Sequence, residues 1–450
     1  FGSSVSRGPP RMRRSMAGGG HDTAEKASPK GVEKVTGRNL GAREFVERFA
    51  DPCRPVILLD VVDSWLAAQA WRDSTGGPDF ARLAESFGGT RVPVVDCGQG
   101  CKVSTWDARD YFQWAERQRH HRTAVSEGDS SDADDSAREL LYLKDWHFTR
   151  DCRALGLQAP YEAPDFLAAP LHDWLNLFLD VKRAGADDYR FCYAGVAGTS
   201  TPLHHDVLFS HSWSASVCGR KHWALFPPEA ATHLLDVRGE AAPGVAPGLR
   251  PEDWERRFPG LDQAWARRIE VIQEPGELIF VPSGWYHEVK NLTDAVSINH
   301  NWLNASNAAQ VWGFLRTELD SVHRTIGDLR ETFDSCAEFE AQCQTLMRAD
   351  CGMDCTAWLE LLAAAAAEVS RAFDAAEGAP PGGSSEDGVW LARWAAAGLR
   401  AAAKPSLAGA AALEAQPPEL AAAAELLTTA LEGLPDVAPS GRSDYDGVGE

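Results

Sequence analysis

Residues 189 to 303 form a succession of short β-rich segments: YRFCYAG, SWSASVCG, KHWALFPP, RIEVIQ, ELIFVP, WYHEVKNL and AVSINHNWL. Turn clusters such as EPGE (274–277) and PSG (282–284) separate them. Val, Ile and aromatic side chains suit a pleated, half-buried surface, and Gly and Pro punctuate it. Many short strands with Gly/Pro turns predict an all-β sandwich or barrel, and a jelly roll is the natural choice.

The flanks extend this plan. REFVERF (43–49) reads as a short helix, and PVILLD (55–60), RVPVVDC (91–97) and LLYLKDW (140–146) read as further strands. After Asn307 the texture turns helical, beginning with QVWGFLRTELDSVHRTIGDLRETF. The expected organisation is a disordered segment over 1–38, a mainly β domain over 39–307 with an acidic, solvated loop at 126–139, a helical region over 308–435 with a linker near 378–388, and a disordered tail over 436–450.

Composition narrows the classes of function. With 450 residues, 44% hydrophobic and 24% charged, the chain suits one large globular domain and a smaller one. Its net charge of -21 argues against direct nucleic-acid binding, which needs Lys and Arg to neutralise phosphates. No apolar run is long enough to span a bilayer, so no membrane role is expected; Leu359–Ala367 comes nearest and contains Glu360. The ten cysteines do not form a dense framework, and the pairs Cys97/Cys101 and Cys351/Cys355 lack partners at zinc-site spacing. The first twenty residues are Arg/Ser-rich without an acid, as in a transit peptide, but a start at Met12 or Met16 would remove most of that signal. A cytoplasmic location is expected.

TPLHHDV carries the first chemical signal. His204 and Asp206 are two apart, so in a strand both face one side while His205 faces the other. His287, in PSGWYHEV, follows a tight turn at the start of another strand and supplies a second imidazole. Two imidazoles and one carboxylate on one face of an octahedral ion form the facial triad of non-haem Fe(II) oxygenases. An isolated HxD arises by chance in many chains, so its neighbours matter. Lys221, fifteen residues after Asp206 on the following strand, would need an anionic partner if buried, and a dicarboxylate would provide one. Thr201 could donate to the same carboxylate. In AVSINHNW, Val296, Ile298, His300 and Trp302 share one face while Ser297, Asn299 and Asn301 share the other. Ser214 and Ser216 alternate similarly. The polar face either meets water or lines a pocket; periodicity alone leaves both open.

Beyond these residues, the span from Arg43 to about Asn307 resembles the jumonji-C hydroxylases. The resemblance rests on YLKDWHF, DDYRFCYAG, SWSASVCGRKHWALFPP, GELIFVPSGWYHEVKNL and SINHNWLN, long segments in the right order. It implies a double-stranded β-helix of cupin-like type with flanking helices. It implies Fe(II) on His204, Asp206 and His287, and 2-oxoglutarate and O2 as co-substrates. The distal 2-oxoglutarate carboxylate would be bound by Lys221 and Thr201, with Tyr142 donating to it. Asn301 would bind near the metal end of the co-substrate, and Ser214 is a further candidate co-substrate-binding residue. Within the family the match is to lysyl hydroxylases acting on eukaryotic peptide-chain release factor 1, which would make that protein the partner. The rival readings are an N-methyl-lysine demethylase with the same chemistry, and an inert β-sandwich scaffold. The C-terminal helices would supply the surface for any homodimer.

Overall fold

The computed structural model describes residues 31–98, 101–126, 139–182, 187–237, 239–244, 254–377 and 386–435. Its strands are β1 (Glu33–Thr36), β2 (Val56–Leu59), β3 (Arg91–Asp96), β4 (Lys102–Asp107), β5 (Leu141–Trp146), β6 (Arg190–Gly195), β7 (Ser200–His204), β8 (His211–Cys218), β9 (Lys221–Phe226), β10 (Ile269–Gln273), β11 (Leu278–Val281), β12 (Tyr286–Asn291) and β13 (Ala295–Trp302). The larger sheet runs β1-β2-β11-β8-β13-β6-β5-β3-β4, and the smaller runs β10-β9-β12-β7. From β6 onward the chain passes between the sheets, placing β6, β8, β11 and β13 in one and β7, β9, β10 and β12 in the other. This four-on-four winding is the double-stranded β-helix, a jelly roll of cupin-like type.

Strict alternation assigns each side chain to a layer. On β8, Trp213, Ala215 and Val217 point outward into a core shared with the N-terminal helices, and so do Val296, Ile298 and Trp302 on β13. Ser212, Ser214, Ser216, Ser297, Asn299 and Asn301 therefore point into the space between the sheets. One end of that space is sealed by apolar residues, Ile57, Trp223, Leu225, Ile279 and Val281. The outer face of the small sheet, through Leu203, Ala224, Phe226 and Tyr286, is covered by helix Leu261–Arg267 and its neighbours. Each fully buried aromatic here contributes about 2–3 kcal/mol of transfer free energy.

Helices Ala308–Ile326, Cys336–Cys351, Cys355–Glu377, Glu386–Ala411 and Pro418–Glu432 share one core with helix Trp174–Lys182. Trp394 donates to Asp51 and Arg43 lies over Trp390, which ties the helical region to the front of the β domain. Among the described residues, no helix is long and apolar enough to cross a membrane.

Three expectations need adjusting. The ordered chain starts before residue 39: Glu33–Thr36 pairs in parallel with Val56–Leu59, and Lys34 bonds Glu277. The strand is short and half exposed, so no hydrophobic run announced it. Strand β8 lies between Asp206 and Lys221, so Lys221 opens the second strand after the HxD, not the next one. Residues 386–388 of the expected linker belong to helix Glu386–Ala411. Residues 1–30, 127–138, 378–385 and 436–450, where disordered segments, the acidic loop and the linker were expected, lie outside the described residues.

Candidate metal centre

Strand β7 ends at His204, and Asp206 stands just beyond it with φ -67° and ψ 153°. That extended backbone keeps the two-residue alternation, so Asp206 joins His204 inside while His205 turns out. In β12, His287 lies directly opposite His204 in the ladder. The imidazole centroids are 4.3 Å apart, and the ligand atoms of His204, Asp206 and His287 all lie within 4.8 Å of one another.

The surroundings fix which atoms face the ion. His204 Nδ1 is 2.8 Å from the Pro202 carbonyl and His287 Nδ1 is 3.1 Å from the Trp285 carbonyl. Each Nδ1–H therefore donates to backbone, leaving the Nε2 lone pair for a metal. Burial, reinforced by His287 and Lys144, holds His204 well below the usual imidazole range, so it is neutral and ready to ligate. Asp206 is steadied from two sides: Ser212 Oγ donates to Oδ2 at 2.7 Å and Asn301 Nδ2 donates to Oδ1 at 3.0 Å. Two imidazoles that each present Nε2, with one oriented carboxylate, are the donor set expected for non-haem Fe(II) with positions left open.

Lys221 is 2% exposed, and its Nζ donates to Ser297 Oγ at 2.6 Å. Among the described residues no carboxylate reaches it. Burial pushes its ammonium down to about 8, with Cys192 and Cys218 opposing. A buried cation whose described partner is a hydroxyl is poised for an anion. Asn301 at the metal end, Asn299 with Ser214 in the middle (Oγ to Oδ1, 3.2 Å) and Ser297 with Lys221 form one continuous polar stripe. The polar face of β13 thus points between the sheets and not to bulk water.

Thr201 reaches the same space through an irregularity. It pairs with Val289, two residues from His287, although it is three residues from His204. This bulge in β7 brings both residues to one side, which a regular strand would not do. Tyr142 is buried beside Asn291, and its ring fits because Gly195 opposite has no side chain: a Cβ there would stand 2.7 Å from Tyr142. Tyr193, also facing inward, donates to Asp145 at 2.7 Å. Ser212 and Tyr193 were not singled out from sequence; Ser212 continues the Ser214–Ser216 alternation, while Tyr193 carried no signal of its own. Neither cysteine pair gathers further metal-binding partners among the described residues.

Comparison with known proteins decides the family. A cupin-like domain matches residues 42–308. The chain is 35% identical over 312 residues to the human protein named 2-oxoglutarate and iron-dependent oxygenase JMJD4, covering 69% of this chain and 70% of that one. The chain belongs to the cupin-like jumonji-C oxygenases. The mouse JMJD4 is 36% identical over 346 residues, covering 75% of this chain and 74% of its own. A protein of Arabidopsis thaliana named arginine-specific demethylase JMJ20 is 37% identical over 342 residues, covering 72% of this chain and 67% of its own. As a jumonji-C oxygenase the chain takes Fe(II) and 2-oxoglutarate, and the complete His–Asp–His set matches that requirement. The inert-scaffold reading is thereby set aside.

Proposed function

We propose that the chain is a cytoplasmic protein hydroxylase that places a hydroxyl on a lysine side-chain carbon of eukaryotic peptide-chain release factor 1. The observation that carries the chemistry is Lys221, a buried ammonium that no carboxylate reaches among the described residues, joined to the triad by a continuous polar stripe. The choice of substrate rests on the resemblance of segments such as SWSASVCGRKHWALFPP and GELIFVPSGWYHEVKNL to the lysyl hydroxylases of the family.

In this reading His204, Asp206 and His287 hold Fe(II) through Nε2, a carboxylate oxygen and Nε2. Bound iron, with 2-oxoglutarate and O2, supplies the oxidising power for an unactivated C–H bond. Lys221 and Thr201 hold the distal carboxylate of the co-substrate, with Tyr142 closing the same end. Ser212 and Asn301 keep the Asp206 carboxylate from turning. The apolar wall of Ile57, Trp223, Leu225 and Ile279 excludes water from the closed end.

A second reading is N-demethylation of a methylated side chain, which needs the same residues and differs only in the carbon attacked. The Arabidopsis thaliana relative is named an arginine-specific demethylase, so methyl-arginine joins methyl-lysine as a substrate class for this second reading. The test is an anaerobically iron-loaded assay with 2-oxoglutarate and purified release factor 1, read by succinate and peptide mass. One oxygen gained on a single lysine supports the proposal; loss of a methyl mass from methyl-arginine peptides, with no oxygen gained on lysine, overturns it.

A further inference from the structure

The geometry points to a second metal site, for zinc or another divalent ion that accepts a thiolate, formed by His323, Glu340 and Cys343 in the helical region. His323 lies in the last turn of Ala308–Ile326, and Glu340 and Cys343 are three apart on Cys336–Cys351, hence on one face. His323 Nε2 is 2.9 Å from Glu340 Oε2, and the ligand atoms of all three residues lie within 4.8 Å of one another.

Burial makes this cluster more than a surface ion pair. Glu340 is 3% exposed and Cys343 fully buried. Among the described residues the Glu340 carboxylate has His323 as its hydrogen-bond partner, and a carboxylate that deep calls for full charge compensation. Gln344, four residues after Glu340 on the same face and 5% exposed, has no partner for its Nε2 among the described residues, a donor of the kind that steadies a ligating carboxylate. One imidazole, one carboxylate and one thiolate suit zinc, whereas the β-domain triad has no sulfur. His323 and Glu340 also line an open cleft of about 640 Å³, bordered by Trp312, Phe339 and Arg330. The cleft gives an ion a way in and room for a water as fourth ligand. On binding, the Cys343 S–H bond breaks, its proton passes to solvent and a sulfur–metal bond forms; nothing is oxidised or reduced.

Cobalt(II) titration of the full chain tests this without relying on activity. The intact protein should take up two ions, and a thiolate-to-cobalt charge-transfer band should accompany one of them. Cys343→Ser should abolish that band and leave one ion bound at the triad. His323→Ala, at a half-buried position that spares the core, should weaken the band-forming site at least tenfold. Succinate formation should stay within twofold in both variants. A single bound ion with no charge-transfer band, or a band unchanged in His323→Ala and Cys343→Ser, would overturn the inference.

Discussion

Asn301 on β13 donates to Asp206 Oδ1 at 3.0 Å, so the last strand of the barrel orients the carboxylate of the HxD segment 95 residues earlier. Ser212 on β8 donates to the other oxygen, Oδ2, so two separate strands orient the Asp206 carboxylate, one bond to each oxygen.

Removing that support should loosen the ion without unfolding the barrel. Asn301→Ala is expected to reduce Fe(II) affinity about 10- to 100-fold, the usual effect of losing a partner of a metal ligand. Metal titration alongside thermal melting checks this; unchanged affinity would remove Asn301 from the metal's support.

Lys221 gives the site a pH dependence of predictable sign. Its ammonium is pushed down to about 8, so in the free protein it loses its proton as pH rises past 8. A dicarboxylate binds the charged form, so 2-oxoglutarate affinity should fall above pH 8, by up to tenfold per unit. Lys221→Ala should raise the 2-oxoglutarate requirement and flatten that profile. KM for 2-oxoglutarate measured across pH 7 to 10 in both proteins provides the check.

The metal-bearing loop is held in strain by the helical region. Leu208 and Phe209 have φ of 56° and 55°, left-handed values that cost about 1–2 kcal/mol each in a side-chain-bearing residue. Phe209 stacks on Phe314 of helix Ala308–Ile326 at 6.1 Å with an 8° tilt, and His205 meets Phe209, Phe314 and Tyr286 edge-on. Phe314→Ala should cost about 1–3 kcal/mol in stability and lower metal affinity as well, whereas Phe314→Tyr should keep both. Denaturant unfolding with and without metal separates the two effects. A stability loss with unchanged metal affinity would show that the loop holds its shape without the clamp.

Gly219 sets the turn that delivers Lys221. Its φ is +87°, and a Cβ would lie 2.3 Å from the Asp294 carbonyl. Gly219→Ala should therefore cost more than about 1 kcal/mol and raise the 2-oxoglutarate requirement, since Lys221 follows two residues later. Thermal melting and KM for 2-oxoglutarate measure the two consequences.

The sequence exposed what periodicity encodes. The strands between 189 and 303, the inward pairing of His204 with Asp206, and the Ser297–Asn299–Asn301 face were all readable, because alternation in a strand is local. What remained hidden is non-local. The bulge that turns Thr201 inward exists only against β12. Ser212 becomes a metal-site residue only because Asp206 folds back beside β8. Tyr193 had no pattern of its own, and β1 is placed by pairing with the distant β2 and by the Lys34–Glu277 bond. The meeting of His323 with Glu340 and Cys343 depends on how two helices cross.

The central claim is that His204, Asp206 and His287 hold the iron that drives 2-oxoglutarate turnover. The most direct measurement is succinate formed from 2-oxoglutarate by the anaerobically iron-loaded chain after O2 is admitted, alongside His204→Ala, Asp206→Ala and His287→Ala. The account predicts iron-dependent succinate from the intact chain and at least a hundredfold loss in each folded variant. Turnover retained in all three would contradict it.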